Sequence, residues 1–365
     1  MFNLLSEKKI MELFEDSIDI KSRIKRPYGE ITSKGNYESM LIDAKEMAKK
    51  LSEKEGVLGI TLCGGLSRGY TDDLSEIDLI IYLDDEIYNE WIIGLGPVPQ
   101  GDMLWDGKYY DLKFYSYQKE LLDNWSLVKR WDASYNKILY DPEEKIVDLL
   151  KSKDIFRSQE KFQSVSNSWQ KCIYIGTIVI KQWINRGDPT SANYLLNKAI
   201  PGLVELAFIA NDEYVPYEKW DLNYSYSLKW LPKDWKNKIS KIILVNEISF
   251  QEAERRHKIL MDLYNECWEK IFGKDLKDLE PIDITTLFEL QFIVDNSPVS
   301  LEKFSSQFEK NHLSFEPHFK ITDIIIKDGK KFIVFNKEKY NKYKETDFSD
   351  FLIWNKRSLK KLKVN

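Results

Sequence analysis

The chain has 365 residues, 43% hydrophobic and 31% charged, a mix that supplies ample core and predicts two or three globular domains. Its net charge of −5 lacks the broad basic field of a general nucleic-acid binder and suits cationic small molecules better. Cys63, Cys172 and Cys267 with His257, His312 and His318 are too few and too scattered for a disulfide framework or a zinc site, so a catalytic metal is expected on carboxylates, as magnesium or manganese.

In chain order, the stretch Met1 to Lys9 shows no signal architecture, and no run reaches the length of a membrane span, so the expected compartment is the cytoplasm. Residues 1–35 predict an amphipathic helix and a polar connection through Pro27, Gly29 and Gly35. Tyr37, Leu41, Ala44, Ala48 and Leu51 recur at helical spacing and predict a second helix over 37–54. Three strands follow. Val57 to Cys63 and Ile77 to Leu83 are short apolar runs that read as buried strands, and Lys108 to Tyr115 is rich in strand-favouring rings. From about 160 to 272 the periodicity is helical, through Leu196, Ala199, Leu203 and Ala207 and again through Ile259, Leu260, Leu263 and Trp268. Pro201 and Gly202 are expected to mark a kink or a helix start there. Beyond Pro281 the spacing predicts helices over 284–294 and 300–310. A hairpin follows, in which Asp328-Gly329 joins Ile324-Ile325-Ile326 to Phe332-Ile333-Val334. Two helices and a hairpin would make a winged-helix-like module, although Leu301 to Lys310 shows no run of base-reading side chains. The run Lys356 to Lys363 reads as a solvated basic end.

The chemistry concentrates between Cys63 and Leu79. A buried strand ends in Gly64-Gly65, which lets the backbone turn sharply beside a ligand. Ser67 and Arg68 come next, where a short helix could aim N–H groups at phosphate. A polar loop through Asp72, Asp73 and Ser75 then reaches Glu76 and Asp78. Strand alternation puts Glu76, Asp78, Ile80 and Tyr82 on one face. Two carboxylates at one strand mouth repel unless a cation lies between them, and hard oxygen ligands suit a divalent ion. Asp111 is in phase with Tyr109, Lys113 and Tyr115. If its strand neighbours the second one, Asp111 becomes a third carboxylate over the same spot, as metal-assisted phosphoryl or nucleotidyl transfer requires.

The run from Gly64-Gly65 to Glu76-Ile77-Asp78 resembles the signature of the DNA polymerase β-like nucleotidyltransferase superfamily: a Gly-Gly or Gly-Ser pair, a polar stretch, an acid–apolar–acid triplet and a third acid on a later strand. Ser67, Arg68, Gly69 and Ser75 fall where antibiotic nucleotidyltransferases of the aminoglycoside and lincosamide type carry similar residues. Ser191 to Asn197 and Tyr214 to Trp220 resemble the helical domain of related bacterial and archaeal proteins. The resemblance implies an α+β fold, with a small mixed-sheet nucleotidyltransferase domain and N-terminal helices over 1–155. A helical substrate-binding domain over 156–275 and a small C-terminal α/β-hairpin module over 276–365 would follow. It also implies a co-substrate, ATP or another NTP, held by Gly64, Gly65, Ser67, Arg68 and Ser75, and Mg2+ or Mn2+ on Glu76, Asp78 and Asp111. The chain departs from the pattern twice: Gly65 stands where many relatives have Ser, and Glu76 replaces the commoner Asp.

Each residue also has a plainer reading. Glu76 and Asp78 could be solvated strand-end acids, Asp111 could simply pair with Lys113 or Lys108, and Asp72 and Asp73 suit a turn. Arg68 is balanced between a phosphate contact and a surface position. Lys198 and Lys219 read first as exposed helix lysines, Glu205 and Asp212 equally as helix-surface acids, and Trp105, Trp183, Trp220 and Trp230 as core. The expected activity is transfer of AMP from ATP to a hydroxyl of a small, cationic, aminoglycoside-like acceptor. The alternatives are transfer to a protein or tRNA, as in toxin–antitoxin relatives, and a nucleotide-binding regulator without catalysis.

Overall fold

The computed structural model describes residues 17–18, 29, 36–308, 321–345 and 361–364. The helix expected toward the N-terminus and most of the basic run at 356–363 lie outside the described residues. The chain divides into two compact units. One is built from Ser17–Phe156 together with Asn211–Lys229, and the other holds the remaining described residues.

The first unit is α+β. Helix α1 (Tyr37–Ser52) buries Ala44, Met47, Ala48 and Leu51 along one stripe and ends with Lys49 and Lys50 in its last turn, where cations suit the helix dipole. Strand β1 (Val57–Leu62) leads into a single helical turn, α2 (Gly64–Ser67), and then β2 (Ile77–Leu83). Strands β3 (Gly101–Trp105) and β4 (Lys108–Ser116) form a hairpin, followed by α3 (Leu127–Ala133), β5 (Lys137–Tyr140) and α4 (Lys145–Lys153). The chain returns to this unit with α5 (Glu218–Ser225).

The five strands lie in the order β3-β4-β2-β1-β5. β2 and β4 run parallel, whereas β1 pairs with β2 and with β5, and β3 with β4, antiparallel. The sheet is therefore mixed. Both faces of β2 are covered, which is why its sequence is a nearly unbroken apolar run rather than an alternating one. Ile77, Leu79, Ile81 and Leu83 pack with Leu62, Leu112, Phe114 and the buried stripe of α1. On the other face Ile80 and Tyr82 meet Cys63, Trp125, Ile146 and Leu149. Each fully buried Leu or Ile contributes about 1.5–3 kcal/mol relative to an exposed one, so this double burial pins the strand against any one-residue slip.

The other unit is mainly helical. Asp188 caps the helix Pro189–Ile209 by accepting from the Ser191 amide at 3.0 Å, and Pro189 opens it. Pro201 lies inside this helix and marks neither of its ends. The long helix Phe250–Leu276 buries Leu260, Leu263, Cys267 and Trp268, and Gly273 interrupts it at a φ of 71°. Helices Pro281–Asn296 and Leu301–Phe308 are followed by a hairpin of Thr322–Lys327 and Lys330–Phe335, with Val299–Ser300 added as a third strand. Asp328 and Gly329 both have positive φ, 51° and 73°, as the tight turn between two twisted strands requires. Among the described residues no helix is long and apolar enough to cross a membrane.

Candidate active site

The site grows from the end of β1. The Cys63 amide donates to the Asp78 carbonyl at 3.0 Å, which ties the mouths of β1 and β2 together. Gly64 then turns at a φ of +64°, and a Cβ there would meet Asp78 Oδ2 at 1.9 Å. Glycine is thus required twice over, for the backbone angle and for the approach of a carboxylate. Gly65 is crowded from another side: its Cβ would lie 3.0 Å from Cε2 of Tyr70. The ring of Tyr70 takes up the room that a serine at position 65 would need.

The polar residues of the turn hold it together. Ser67 is buried and donates its hydroxyl to the Gly64 carbonyl at 2.9 Å. Ser75 accepts from the Asp72 amide and donates to Asp72 Oδ1, each at 2.9 Å. Arg68 turns inward, its side chain 5% exposed, and forms an ion pair with Asp132 on α3. Its guanidinium carbon lies 4.9 Å from the ring centre of Trp131 and 5.6 Å from that of Trp220 on α5. Burial works against this charge, but Asp132, Tyr224 and Tyr70 outweigh it and hold the pKa above the ordinary arginine value. Tyr70 and Trp220 pack with ring centres 5.1 Å apart, so the cation joins the glycine turn, α3 and α5 in one aromatic cluster.

The carboxylates stand at the strand mouths. Asp78 and Asp111 are register partners on the parallel pair β2 and β4, and Asp102 is the register partner of Asp111 on β3. One oxygen from each of Glu76, Asp102 and Asp111 lies within 4.8 Å of the others. Among the described residues Asp78 does not join that group. Its Oδ1 instead accepts from Lys113 Nζ at 3.2 Å, while the same ammonium sits 2.8 Å from Asp111 Oδ2. Burial raises the pKa of Asp78; Lys113 opposes that and Asp111 reinforces it. Burial also raises Glu76, and Asp78, Asp111 and Asp102 push it further the same way. For Lys113 burial acts downward, yet Cys63, Asp111 and Asp78 around it leave its pKa raised. Two of the acids, Glu76 and Asp78, are therefore easier to protonate than ordinary carboxyls. Three hard oxygen donors so close together fit a magnesium or manganese ion.

Glu76, Asp78 and Lys113, with the glycine turn and Arg68, line a cleft of about 620 Å³, a size usual for small-molecule sites. Every wall of it belongs to the first unit. Of the expected residues, Gly64, Gly65, Arg68, Ser75, Glu76 and Asp78 face the cleft, as does Lys219. Asp111 does not line it but sits 2.8 Å from Lys113, which does, and Ser67 is inside the turn. Lys108 pairs with Asp43 instead of Asp111. Lys198 and Glu205 are in the other unit, the first 4.6 Å from the Tyr194 ring centre and the second 3.0 Å from Lys171.

Sequence reasoning missed Asp102, Lys129, Trp131 and Asp132. One signal was present for Asp102. Asp106-Gly107, both at positive φ, is a hairpin dipeptide of the same kind as Asp328-Gly329, and it places a strand before Lys108. Nothing local marks Asp132, whose meaning comes from Arg68, far away in the chain.

Residues 44–171 match the model of the family described as nucleotidyltransferase domain. Residues 131–221 match a second family, described as domain of unknown function (DUF4037), which spans Trp131, Asp132 and Trp220. The first match supports the nucleotidyltransferase superfamily, in keeping with the mixed sheet and the acidic strand mouths. Among solved structures, a nucleotidyltransferase-like protein from Exiguobacterium sibiricum is similar at 13% identity, with 83% of this chain and 99% of that one covered and a TM-score of 0.39. No match is found among curated proteins.

Proposed function

We propose that the chain is a metal-dependent nucleotidyltransferase that moves AMP from ATP to a hydroxyl of a small, cationic, aminoglycoside-like acceptor. The observation that carries this reading is the register pairing of Asp78 with Asp111 across parallel strands, beside the Gly64 turn, with Glu76 and Asp102 gathered around Asp111. The acceptor oxygen forms a bond to the α-phosphorus, the bond from that phosphorus to the bridging oxygen breaks, and pyrophosphate leaves. Asp111, part-exposed and in register with Asp78, takes the hydroxyl proton. A magnesium or manganese ion held by these carboxylates supplies charge neutralisation for the triphosphate and for the leaving pyrophosphate. Lys219 on the cleft wall adds positive charge where a polyphosphate would extend, whereas Lys129 on the same wall is paired with Glu120 at 2.6 Å. The acidic net charge of −5 favours a cationic acceptor over an anionic one.

The test is pyrophosphate release with ATP and magnesium against a panel of amino-sugar and other hydroxylated cationic compounds, with mass spectrometry of the acceptor. The expected product carries one added AMP. If no compound yields pyrophosphate above the acceptor-free rate, the small-molecule reading is wrong.

A further inference from the structure

We propose that Lys113 permanently fills one of the two cation positions of this site, so that the chain works with a single divalent ion on Glu76, Asp102 and Asp111. The inference rests on the nucleotidyltransferase reading and concerns how this chain's own residues share the charge. In two-ion transfer a pair of divalent ions about 3.5–4 Å apart stabilises the attacking and the leaving oxygen, and carboxylates must hold both. Here the facing pair is Asp78 and Asp111, and the space between them contains an ammonium bonded to both, at 3.2 and 2.8 Å.

Three features agree with that substitution. Lys113 lies two residues beyond Asp111 on β4, so alternation puts both side chains on one face and the lysine reaches back over its neighbour. Asp78 is committed to this partner, with Oδ1 on Lys113 and Oδ2 beside Gly64, and among the described residues it is not one of the three acids whose oxygens gather within 4.8 Å. The remaining three acids bring one oxygen each within 4.8 Å of the others. Asp102 comes from the edge strand, and Glu76 has one methylene more than Asp, which lengthens its reach. The long acid at 76, the acid at 102 and the lysine at 113 are thus parts of one arrangement. An ammonium and a divalent ion do not share the gap between Asp78 and Asp111, because like charges at such a separation repel strongly.

Manganese electron paramagnetic resonance on the full chain with a non-hydrolysable α,β-methylene analogue of ATP tests this. The parent should give the six-line spectrum of isolated protein-bound ions, whereas Lys113→Met should give the broadened spectrum of an exchange-coupled pair. Adding Asp78→Asn to Lys113→Met should return the isolated signal, because it removes the ligand that the second ion would use. Circular dichroism melting establishes that each variant is folded, and Lys113→Gln serves if the methionine variant is not. A coupled pair in the parent overturns the proposal while leaving the nucleotidyltransferase reading intact, and so does an isolated signal in folded Lys113 variants. Absence of any protein-bound manganese in parent and variants overturns both.

Discussion

Asp78 and Asp111 face each other in register on two parallel strands, and Lys113 Nζ binds an oxygen of each. A strand mouth that gathers four acids around one lysine is poorly neutralised as a protein surface. It is well arranged as a place where a cation arrives together with a polyphosphate.

Asp111→Asn should leave the fold intact and reduce kcat by roughly 10²–10⁴-fold, the usual contribution of a positioned general base. Asp111 is part-exposed at a strand mouth, so its neutralisation opens no cavity. Steady-state kinetics alongside a melting curve checks both halves. Full activity in a folded Asp111→Asn protein would remove the residue from the chemistry.

Gly64→Ala should be damaging although it adds only one carbon. The new Cβ is strained at a φ of +64° and overlaps Asp78 Oδ2; residues forced into such a conformation cost roughly 1–3 kcal/mol. Equilibrium denaturation should show that loss, and transfer activity should fall further than stability alone explains, because Asp78 is pushed off Lys113. Gly69 also has a positive φ but nothing within 4 Å of its Cβ position. Gly69→Ala should therefore show strain without the loss of activity.

Arg68→Ala should destabilise the chain by about 2 kcal/mol, since it leaves Asp132 without its buried partner and removes the cation from the Trp131 and Trp220 rings. A double-mutant cycle with Asp132→Asn should give a coupling of roughly 1–3 kcal/mol. Arg68→Lys should recover only part of it, because an ammonium cannot fork onto a carboxylate and stack on a ring together. Additive single effects would show that the pair is incidental.

The contribution of Glu76 to the stability of the metal-free chain should fall as pH rises through the carboxylate range. Glu76 has a folded-state pKa raised by burial and by Asp78, Asp111 and Asp102. The folded state therefore binds the proton more tightly than the unfolded state, and its charging cost is absent below the unfolded value and complete above the folded one. Glu76→Gln should raise the stability of the metal-free protein at neutral pH by about a few tenths of a kcal/mol after solvent screening. That gain should vanish in acid. Saturating manganese should reverse the order, stabilising the parent more than the variant. Parallel melting curves with and without chelator read the sign directly.

Much of this was legible in the sequence. Val57 to Leu62 and Ile77 to Leu83 were readable as strands because both faces of each are buried, and burial on two sides writes an unbroken apolar run. Alternation alone put Asp111 in phase with Lys113. The glycine pair and the acid–apolar–acid triplet announced the chemistry, since few other arrangements need a sharp turn just before paired carboxylates.

Tertiary structure decided the rest, because periodicity says which face a side chain takes and never which strand lies beside it. That β4 neighbours β2 in parallel, with Asp111 opposite Asp78, is a matter of topology. Topology also brings Asp102 in from an edge strand and returns Asn211–Lys229 to the sheet unit, so that Trp220 meets Tyr70 and Arg68. Ser67 and Arg68, readable as phosphate contacts, are directed inward by Gly64 and Asp132. Long-range electrostatics and packing set those directions, and local sequence carries no trace of either.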